Sequence, residues 1–176
     1  VHDDDSDFYG KKYWLGHQAE ELGLPQIETR ARLDLPERCL YWLRHLLRYR
    51  QPPAKVLELG VAHGGFVALM RWAGYDATGL EMSPWVADLA RRTFQVPMLV
   101  GPLEEQPLQA GSFDIIVAND VMEHLSAPLV TLSKAIELLK PTESYESASS
   151  FWPTWLRGQA YLQAKKGSEA AAEFQK

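Results

Sequence analysis

The sequence has few cysteines, no long apolar run and no signal peptide, and each of these features narrows the class of protein to which it can belong. Only one cysteine, Cys39, occurs among 176 residues, which excludes an internal disulfide framework and is compatible with a reducing compartment. No stretch approaches the roughly 20 apolar residues of a membrane span, and no signal peptide begins the sequence. We therefore expect a cytoplasmic location and no membrane association.

Basic residues are outnumbered by acidic residues. The chain carries 18 lysine and arginine residues against 23 acidic residues, a formal net charge of −5. Such a balance gives no electrostatic footprint for nucleic acid. Apolar residues make up 46% of the sequence, which is usual for a globular domain, and the length suits one domain with a sizeable core. The expected partner is a small molecule rather than a nucleic acid.

The most informative stretch is residues 55–67, which indicates a strand, a glycine-rich turn and the start of a helix. Its apolar strand residues suit a strand that is covered on both faces. Gly60, Gly64 and Gly65 allow the backbone to approach a ligand closely. The free N–H groups of the following helix point back at the turn. This arrangement is typical of a nucleotide site.

Strands alternate with helices after this turn, with strands at about residues 55–59, 76–80, 97–100 and 113–118. The alternation predicts an α/β fold with a Rossmann-like, doubly wound parallel sheet. The predicted units are an N-terminal helical cap (1–54), a cofactor-binding core (55–141), a linker (142–150) and a C-terminal α-hairpin (151–176).

The helical cap contains one clear helix signal, at residues 34–37. Asp34 can cap a helix, Pro36 suits its first turn, and Glu37 occupies the reciprocal capping-box position. We therefore predict that a helix starts at Asp34.

Four predicted strands are each followed directly by a residue suited to ligand binding: Gly60, Glu81, Gly101 and the pair Asn119 and Asp120. Parallel sheets bind ligands at the carboxyl ends of their strands, so these residues should share one rim. Glu81 follows Gly60 at the offset of an acid that accepts hydrogen bonds from both ribose hydroxyls.

Two classes of nucleotide compete for this rim. The run Gly60-x-Ala62-x-x-Gly65 is one substitution from the dinucleotide fingerprint and supports a ligand of the NAD type. Glu58 favours another ligand, because a carboxylate at the mouth of the turn repels a pyrophosphate. S-adenosylmethionine has a cationic amino-acid end, a sulfonium and no phosphate, and it suits Glu58 better.

Three motifs resemble those of class I S-adenosylmethionine-dependent methyltransferases. They are the runs at residues 56–65, 79–83 and 112–125, which read VLELGVAHGG, GLEMS and SFDIIVANDVMEHL. The resemblance extends over about residues 8–141. It implies S-adenosylmethionine, with S-adenosylhomocysteine as its product, as the cofactor pair and a small-molecule or sugar-type methyl acceptor.

The resemblance implies a cofactor site made of ten residues: Glu58, Gly60, Ala62, Gly64, Glu81, Met82, Pro102, Leu103, Asn119 and Asp120. Glu58 matches the acid near the amino end of the methionine moiety, and Glu81 matches the ribose ligand. Asn119 and Asp120 match residues near the methionine moiety and the transferring methyl group.

Two positions depart from the family pattern. Ala62 stands where members more often have glycine, a tolerable change if the backbone contact remains. Pro102 replaces a common aspartate and offers neither an N–H group nor a side-chain acceptor. Adenine recognition there would then depend on packing and on the backbone of Leu103, with Met82 alongside the adenine.

His124 is the candidate general base for a hydroxyl acceptor, with Glu123 or Asp120 able to orient it. The alternative is that His124 opens a helix and hydrogen-bonds backbone. The run from Asp120 to His124 also resembles the ligands of metal-dependent RNA 2′-O-methyltransferases. Those need a later histidine, and none follows His124, so we predict no metal. His63 is expected to line the turn.

The pattern changes after Pro141. Residues 142–150 are polar and predict a linker. Gly158, Tyr161, Ala170 and Phe174 fall at the spacing of one tetratricopeptide repeat. Residues 151–176 thus resemble a partial hairpin of that family, through a natural fusion, a frameshift or an engineered chimera.

Two functions are compatible with these features. One is a methyltransferase acting on a small-molecule or sugar-type acceptor. The other is a cofactor-binding, non-catalytic assembly protein, because complete family members continue with three further strands. The resemblance thus implies a sheet with strand order 3-2-1-4 that is truncated after the fourth strand. The open edge at that strand predicts a homo-oligomer, through that edge or through the C-terminal hairpin.

Overall fold

The structure is a computed structural model, and it describes residues 10–141. Its centre is a parallel sheet of four strands in the order β3-β2-β1-β4, as the sequence predicted. The strands are β1 (Lys55–Leu59), β2 (Asp76–Glu81), β3 (Met98–Val100) and β4 (Ile115–Ala118). The predicted linker and C-terminal hairpin lie outside the described residues.

Five α-helices surround the sheet in the described part of the chain. They are α1 (Ile27–Asp34), α2 (Leu40–Tyr49), α3 (Gly65–Trp72), α4 (Pro84–Phe94) and α5 (Pro128–Leu138). Two π-helical segments (Lys12–Glu21 and Leu35–Cys39) and two short 3₁₀ turns (Leu103–Glu105 and Met122–His124) complete the order. None of the helices between residues 10 and 141 is both long and apolar enough to cross a membrane.

Alternating residues of β1 build two cores, one on each face of the sheet. Val56 joins a buried cluster with Cys39 and residues of α2 and α3. Leu57 and Leu59 join the opposite cluster with Leu138 of α5. Successive side chains of a strand point to opposite faces, so β1 is covered on both sides. Glu58 therefore shares the face of Val56, beneath the N-terminal helices.

The predicted helix start at Asp34 is wrong. Asp34 is the last residue of α1, has helical backbone angles and makes no capping bond. The chain continues directly through the π-helical segment Leu35–Cys39 into α2. The Asp34 carboxylate contacts His63 instead, a residue 29 positions away in the sequence. A capping box is a local signal, and here a distant contact has replaced it.

Two strands begin later in the chain than the sequence predicted. β3 begins at Met98 rather than Pro97, and β4 begins at Ile115 rather than Phe113. Phe113 forms a single parallel bridge with Leu139 instead. The start of α4 agrees with the sequence, because the Ser83 hydroxyl accepts a hydrogen bond from the Val86 N–H at 3.4 Å and Pro84 occupies the first helical position.

Candidate functional site

The turn after β1 is shaped by residues in the left-handed backbone region. Gly60 and Gly64 have φ of 67° and 87°. A Cβ on Gly60 would lie 2.3 Å from a methyl group of Val121, and one on Gly64 would lie 2.7 Å from the Cβ of Ala90. Glycine is thus required at both positions, because φ is positive and because neighbouring side chains leave no room for a Cβ atom.

Ala62 adopts the same conformation without being glycine, with φ of 50°. Side chains rarely adopt this region because Cβ crowds the backbone. Its N–H donates to Oε2 of Glu81 at 3.1 Å. This bond ties the turn after β1 to the end of β2.

Glu81 connects two loops at the rim through its carboxylate. Besides the bond from Ala62, its Oε1 accepts from the Ser83 N–H at 3.1 Å. The side chain is buried, and burial raises the pKa of Glu81 although the backbone N–H donors act in the opposite direction. Each carboxylate oxygen has a second acceptor position, so two ribose hydroxyls could still bind. Its ribose role stays a prediction.

Glu58 lies in β1 beside Gly79 of β2 and Val117 of β4. It is only 3% exposed, and its Oε2 atom has no hydrogen-bond partner among the described residues. Burial, and then the charge of Glu81, raise the pKa of Glu58 well above its usual range. A buried oxygen of this kind is costly unless a donor or a cation meets it.

The two residues that follow β4 differ in their surroundings. Asn119 has a buried Nδ2 donor without a partner in the described part of the chain. Asp120 has φ of 53° and forms an ion pair with Arg38 at 2.5 Å. The structure thus brings Asn119 and Asp120 to the same rim as Glu58 and Gly60, as expected from parallel strands.

His63 connects the glycine turn to the N-terminal helices. Its Nδ1 accepts from the Gly65 N–H at 3.0 Å, and its Nε2 lies 3.0 Å from Oδ2 of Asp34. The Gly65 bond places the ring proton on Nε2, which therefore donates to Asp34. Arg30 and Arg38 approach the same Asp34 oxygen at 3.5 and 3.9 Å. The contact between His63 and Asp34 spans 29 positions, so local patterns gave no signal for it.

The residues assigned to adenine lie after β2 and β3. Met82 is half exposed and is available to pack against a ring. The Leu103 side chain is buried in the core on the α5 face, which leaves its backbone for any adenine contact. The carbonyl of Pro102 accepts from Nε2 of Gln106, which also donates to Val100 O. Sequence reasoning missed this role of Gln106 in holding the loop.

His124 ends an exposed 3₁₀ turn, and its N–H donates to the Val121 carbonyl at 2.9 Å. Asp120, one of its two expected orienting partners, pairs with Arg38 instead. Between residues 10 and 141, no group of three His, Cys, Asp or Glu side chains could hold a metal ion. The base role of His124 stays a prediction.

A groove of about 210 Å³ runs between α2 and β4 and reaches Asn119. Its walls are mostly aromatic and include Tyr41, Trp42, Tyr49 and Phe66. Another cavity, of about 280 Å³, lies between α3 and α4 and includes none of the predicted site residues.

Comparison with known sequences places the core among methyltransferases. Residues 31–147 match a protein family described as a methyltransferase domain. A ubiquinone biosynthesis O-methyltransferase of Xanthomonas campestris is 30% identical over 100 residues, 53% of this chain and 42% of the relative. One from Bordetella avium is 29% identical over 108 residues, 58% of this chain and 44% of the relative. The chain thus spans less than half the length of these relatives.

Solved structures agree with the fold. A SAM-dependent methyltransferase from Thermotoga maritima superposes with a TM-score of 0.51 and 26% identity, covering 72% of this chain and 56% of that one. A phosphoethanolamine N-methyltransferase from Haemonchus contortus, solved with S-adenosylhomocysteine, gives a TM-score of 0.52 and 23% identity over 56% of this chain and 25% of the other.

Proposed function

Because this chain belongs to the methyltransferase domain family, we propose that it binds S-adenosylmethionine at the carboxyl rim of its sheet. The methyl group passes to a small-molecule or sugar-type acceptor. The rim consists of the glycine turn after β1, Glu81 at the end of β2, the loop after β3, and Asn119 and Asp120 after β4.

The observation that carries this proposal is the unpartnered Oε2 of Glu58. The atom is buried at the mouth of the turn, where the α-ammonium group of the cofactor would give it a charged hydrogen-bond donor. Charge-assisted bonds in a buried site are stronger than neutral ones. A second unpartnered atom, Nδ2 of Asn119, lies at the same rim and suits an oxygen of the ligand.

The same observation weakens the NAD alternative. A pyrophosphate at this turn would meet the buried carboxyl groups of Glu58 and Glu81, and the charge of Glu81 already raises the pKa of Glu58. Like charges at low dielectric repel strongly. A ligand with a cationic end and no phosphate removes that conflict, and S-adenosylmethionine is such a ligand.

The cofactor supplies a methyl group that is already activated by the sulfonium. The protein then mainly has to position the acceptor and exclude water. A hydroxyl acceptor also needs a general base, for which His124 is the proposed residue. The two relatives described above are O-methyltransferases, which supports an oxygen acceptor.

Titration calorimetry with S-adenosylhomocysteine tests the cofactor site. We expect saturable binding of the unmodified chain and none of NAD. Replacing Glu81 by alanine should weaken binding by on the order of 1–3 kcal/mol through lost charge-assisted bonds. Glu105→Ala, at an exposed acid of the loop after β3, is the matched control and should bind normally. Equal affinity of the Glu81 variant would remove Glu81 from the site.

Turnover distinguishes the enzyme from the assembly-protein alternative, which the family match and the named relatives do not favour. We expect S-adenosylhomocysteine to form when the chain is incubated with S-adenosylmethionine and a panel of hydroxyl acceptors. Tight binding with no product across that panel would support the non-catalytic alternative instead.

A further inference from the structure

The groove between α2 and β4 opens onto the proposed cofactor rim, because the two elements run in opposite directions. Arg38, just before α2, contacts Asp120 after β4. Arg50, just after α2, contacts Asp114 before β4 at 3.2 Å. The start of α2 therefore lies beside the rim, and its end lies at the opposite edge of the sheet. Asn119, a groove residue that directly follows β4, is at the end of the groove nearest the rim.

The aromatic rings at this end of the groove are oriented by contacts within the protein. The rings of Trp42 and Phe66 meet edge to face, with centroids 5.4 Å apart. The guanidinium of Arg38 lies over Trp42, at 5.0 Å from the ring centroid. Tyr41 packs against His45, one helical turn further along α2, with ring centroids 4.4 Å apart. A site whose side chains are already ordered loses little conformational entropy when a ligand enters.

The composition of the groove favours an uncharged, mostly apolar ligand. None of the eight residues that line it in the described structure is Lys, Arg, Asp or Glu, and most of the lining surface is apolar. An anionic ligand would thus find no opposite charge there. A sugar would bring several hydroxyl groups, each of which needs a hydrogen-bond partner when it is buried.

The size of the groove limits the ligand to a small ring system. Its volume is about 210 Å³, whereas an apolar cavity of about 150 Å³ holds one benzene molecule. One or two fused rings with small substituents fit this space. Flat aromatic rings also pack favourably against aromatic walls, either edge to face or offset.

We propose that this groove binds the methyl acceptor and that the acceptor is an uncharged aromatic hydroxyl compound, an inference that rests on the proposed function. A lone pair of the phenol oxygen attacks the methyl carbon, the carbon–sulfur bond breaks, and its electrons stay on sulfur in S-adenosylhomocysteine. The phenol proton passes to a general base or to water. A phenol ionises with a pKa of about 10, as tyrosine does, so this transfer demands less of the base than transfer to an alkyl hydroxyl.

Calorimetry and turnover of the full chain test this inference, with 2-naphthol as the probe. We expect 2-naphthol to bind the chain that is saturated with S-adenosylhomocysteine, a complex with no methyl group to transfer. With S-adenosylmethionine, the kcat/KM for 2-naphthol should exceed that for methyl β-glucoside by at least about tenfold, because the glucoside has hydroxyl groups but no aromatic ring.

Tyr41→Ala removes one aromatic wall at a position that is 59% exposed. We expect binding of 2-naphthol to weaken by about tenfold and binding of S-adenosylhomocysteine to stay unchanged. Tyr41→Phe keeps the ring and should bind 2-naphthol as the wild type does. Trp72→Ala is the matched control, because Trp72 is also an exposed aromatic residue but lies on α3 outside the groove. It should leave binding of both ligands unchanged.

Three outcomes would overturn this inference while leaving the cofactor site intact. One is a chain that binds S-adenosylhomocysteine but binds no 2-naphthol or prefers methyl β-glucoside. Another is unchanged binding of 2-naphthol to Tyr41→Ala. The third is a loss of 2-naphthol binding that accompanies a changed sedimentation coefficient, which would make the groove an interface between copies of the chain. A wild-type chain that does not bind S-adenosylhomocysteine would overturn the proposed function itself, and this inference with it.

Discussion

Glu58 is the residue on which the proposed cofactor site depends most. It is buried, lacks a partner for one oxygen, and burial together with Glu81 raises its pKa. A cationic ligand group next to it would favour the ionised form again. Ligand binding and proton release should therefore be coupled at this residue.

Glu58 predicts a pH-dependent affinity for S-adenosylhomocysteine. Between the ordinary glutamate pKa of about 4.3 and its raised pKa, the free protein holds a proton that the complex releases. Affinity should therefore rise with pH through this window and level off above it. Calorimetry in two buffers of different ionisation enthalpy measures the protons released.

The variant Glu58→Gln should bind the ligand more weakly and release no proton, whereas Glu105→Gln should behave as the wild type. Identical binding enthalpies in the two buffers for the wild-type chain would contradict this coupling.

Ala62 offers a test of backbone strain. Its φ of 50° is costly for alanine and free of strain for glycine. We expect Ala62→Gly to raise the free energy of unfolding by up to about 1 kcal/mol, because relief of strain exceeds the added flexibility of the unfolded chain. Urea denaturation measures the change.

Ala73→Gly is the matched control for this prediction. Ala73 has φ of −78°, where alanine is unstrained, so glycine there should lower stability. A loss of stability in both variants would show that the Ala62 conformation carries no net strain.

At the scale of elements, the N-terminal helices are fastened to the glycine turn by His63. The ring accepts from the turn through Nδ1 and donates to α1 through Nε2. Protonation of Nδ1 would replace its acceptor with a donor and break the bond from Gly65. The connection between the two elements should therefore weaken in acid.

Burial lowers the pKa of His63, although its hydrogen bond to Asp34 acts in the opposite direction. The unfolded chain then binds more protons than the folded one, so stability rises with pH. This contribution is complete above the unfolded histidine pKa of about 6.5 and is lost as the pH falls through the lowered folded value. Each unit of pKa difference corresponds to about 1.4 kcal/mol.

Urea denaturation across this range measures the effect. The advantage of the wild type over His63→Gln should shrink as the pH falls from above 7 to about 5. A constant difference for His63→Gln would contradict the role of the buried ring.

At the scale of the whole molecule, β4 lies at one edge of the described sheet. All four of its residues are partly exposed, and beside it the described chain forms only the bridge between Phe113 and Leu139. The groove next to this edge presents Tyr41 and Tyr49, both more than half exposed. Unpaired edges and apolar surfaces of this kind favour association.

The expected homo-oligomer stays a prediction, and Tyr49 gives it a test. Tyr49→Lys should weaken association by roughly tenfold or more, since burying an aromatic side chain contributes on the order of 1–3 kcal/mol. Leu33→Lys, at an exposed apolar residue of α1, should leave association unchanged. Analytical ultracentrifugation of the full chain measures both, and a wild-type chain that is monomeric at every concentration would contradict the prediction.

The elements, the parallel sheet and the shared rim could be predicted from the sequence because they follow from local patterns, whereas the strand order was expected from the resemblance to the family. Period-two and helical hydrophobicity define the elements, and parallel topology brings the carboxyl ends of the strands together. The structural role of Asp34 could not be predicted in this way. Its carboxylate bonds to His63 across 29 positions, and a capping pattern contains no information about such a partner.

The sequence alone determined the fold and the position of the proposed cofactor rim, since the glycine turn and the acids near the ends of β1 and β2 are local features. Only the tertiary structure decided the electrostatics of that rim. In the folded chain Glu58 is buried with one oxygen unpartnered. Both carboxylate oxygens of Glu81 accept hydrogen bonds from backbone N–H groups. Arg38 contacts Asp120, which lies 82 positions away in the sequence. Burial and distant pairing arise when elements pack, because only then do residues far apart in the chain share one low-dielectric environment.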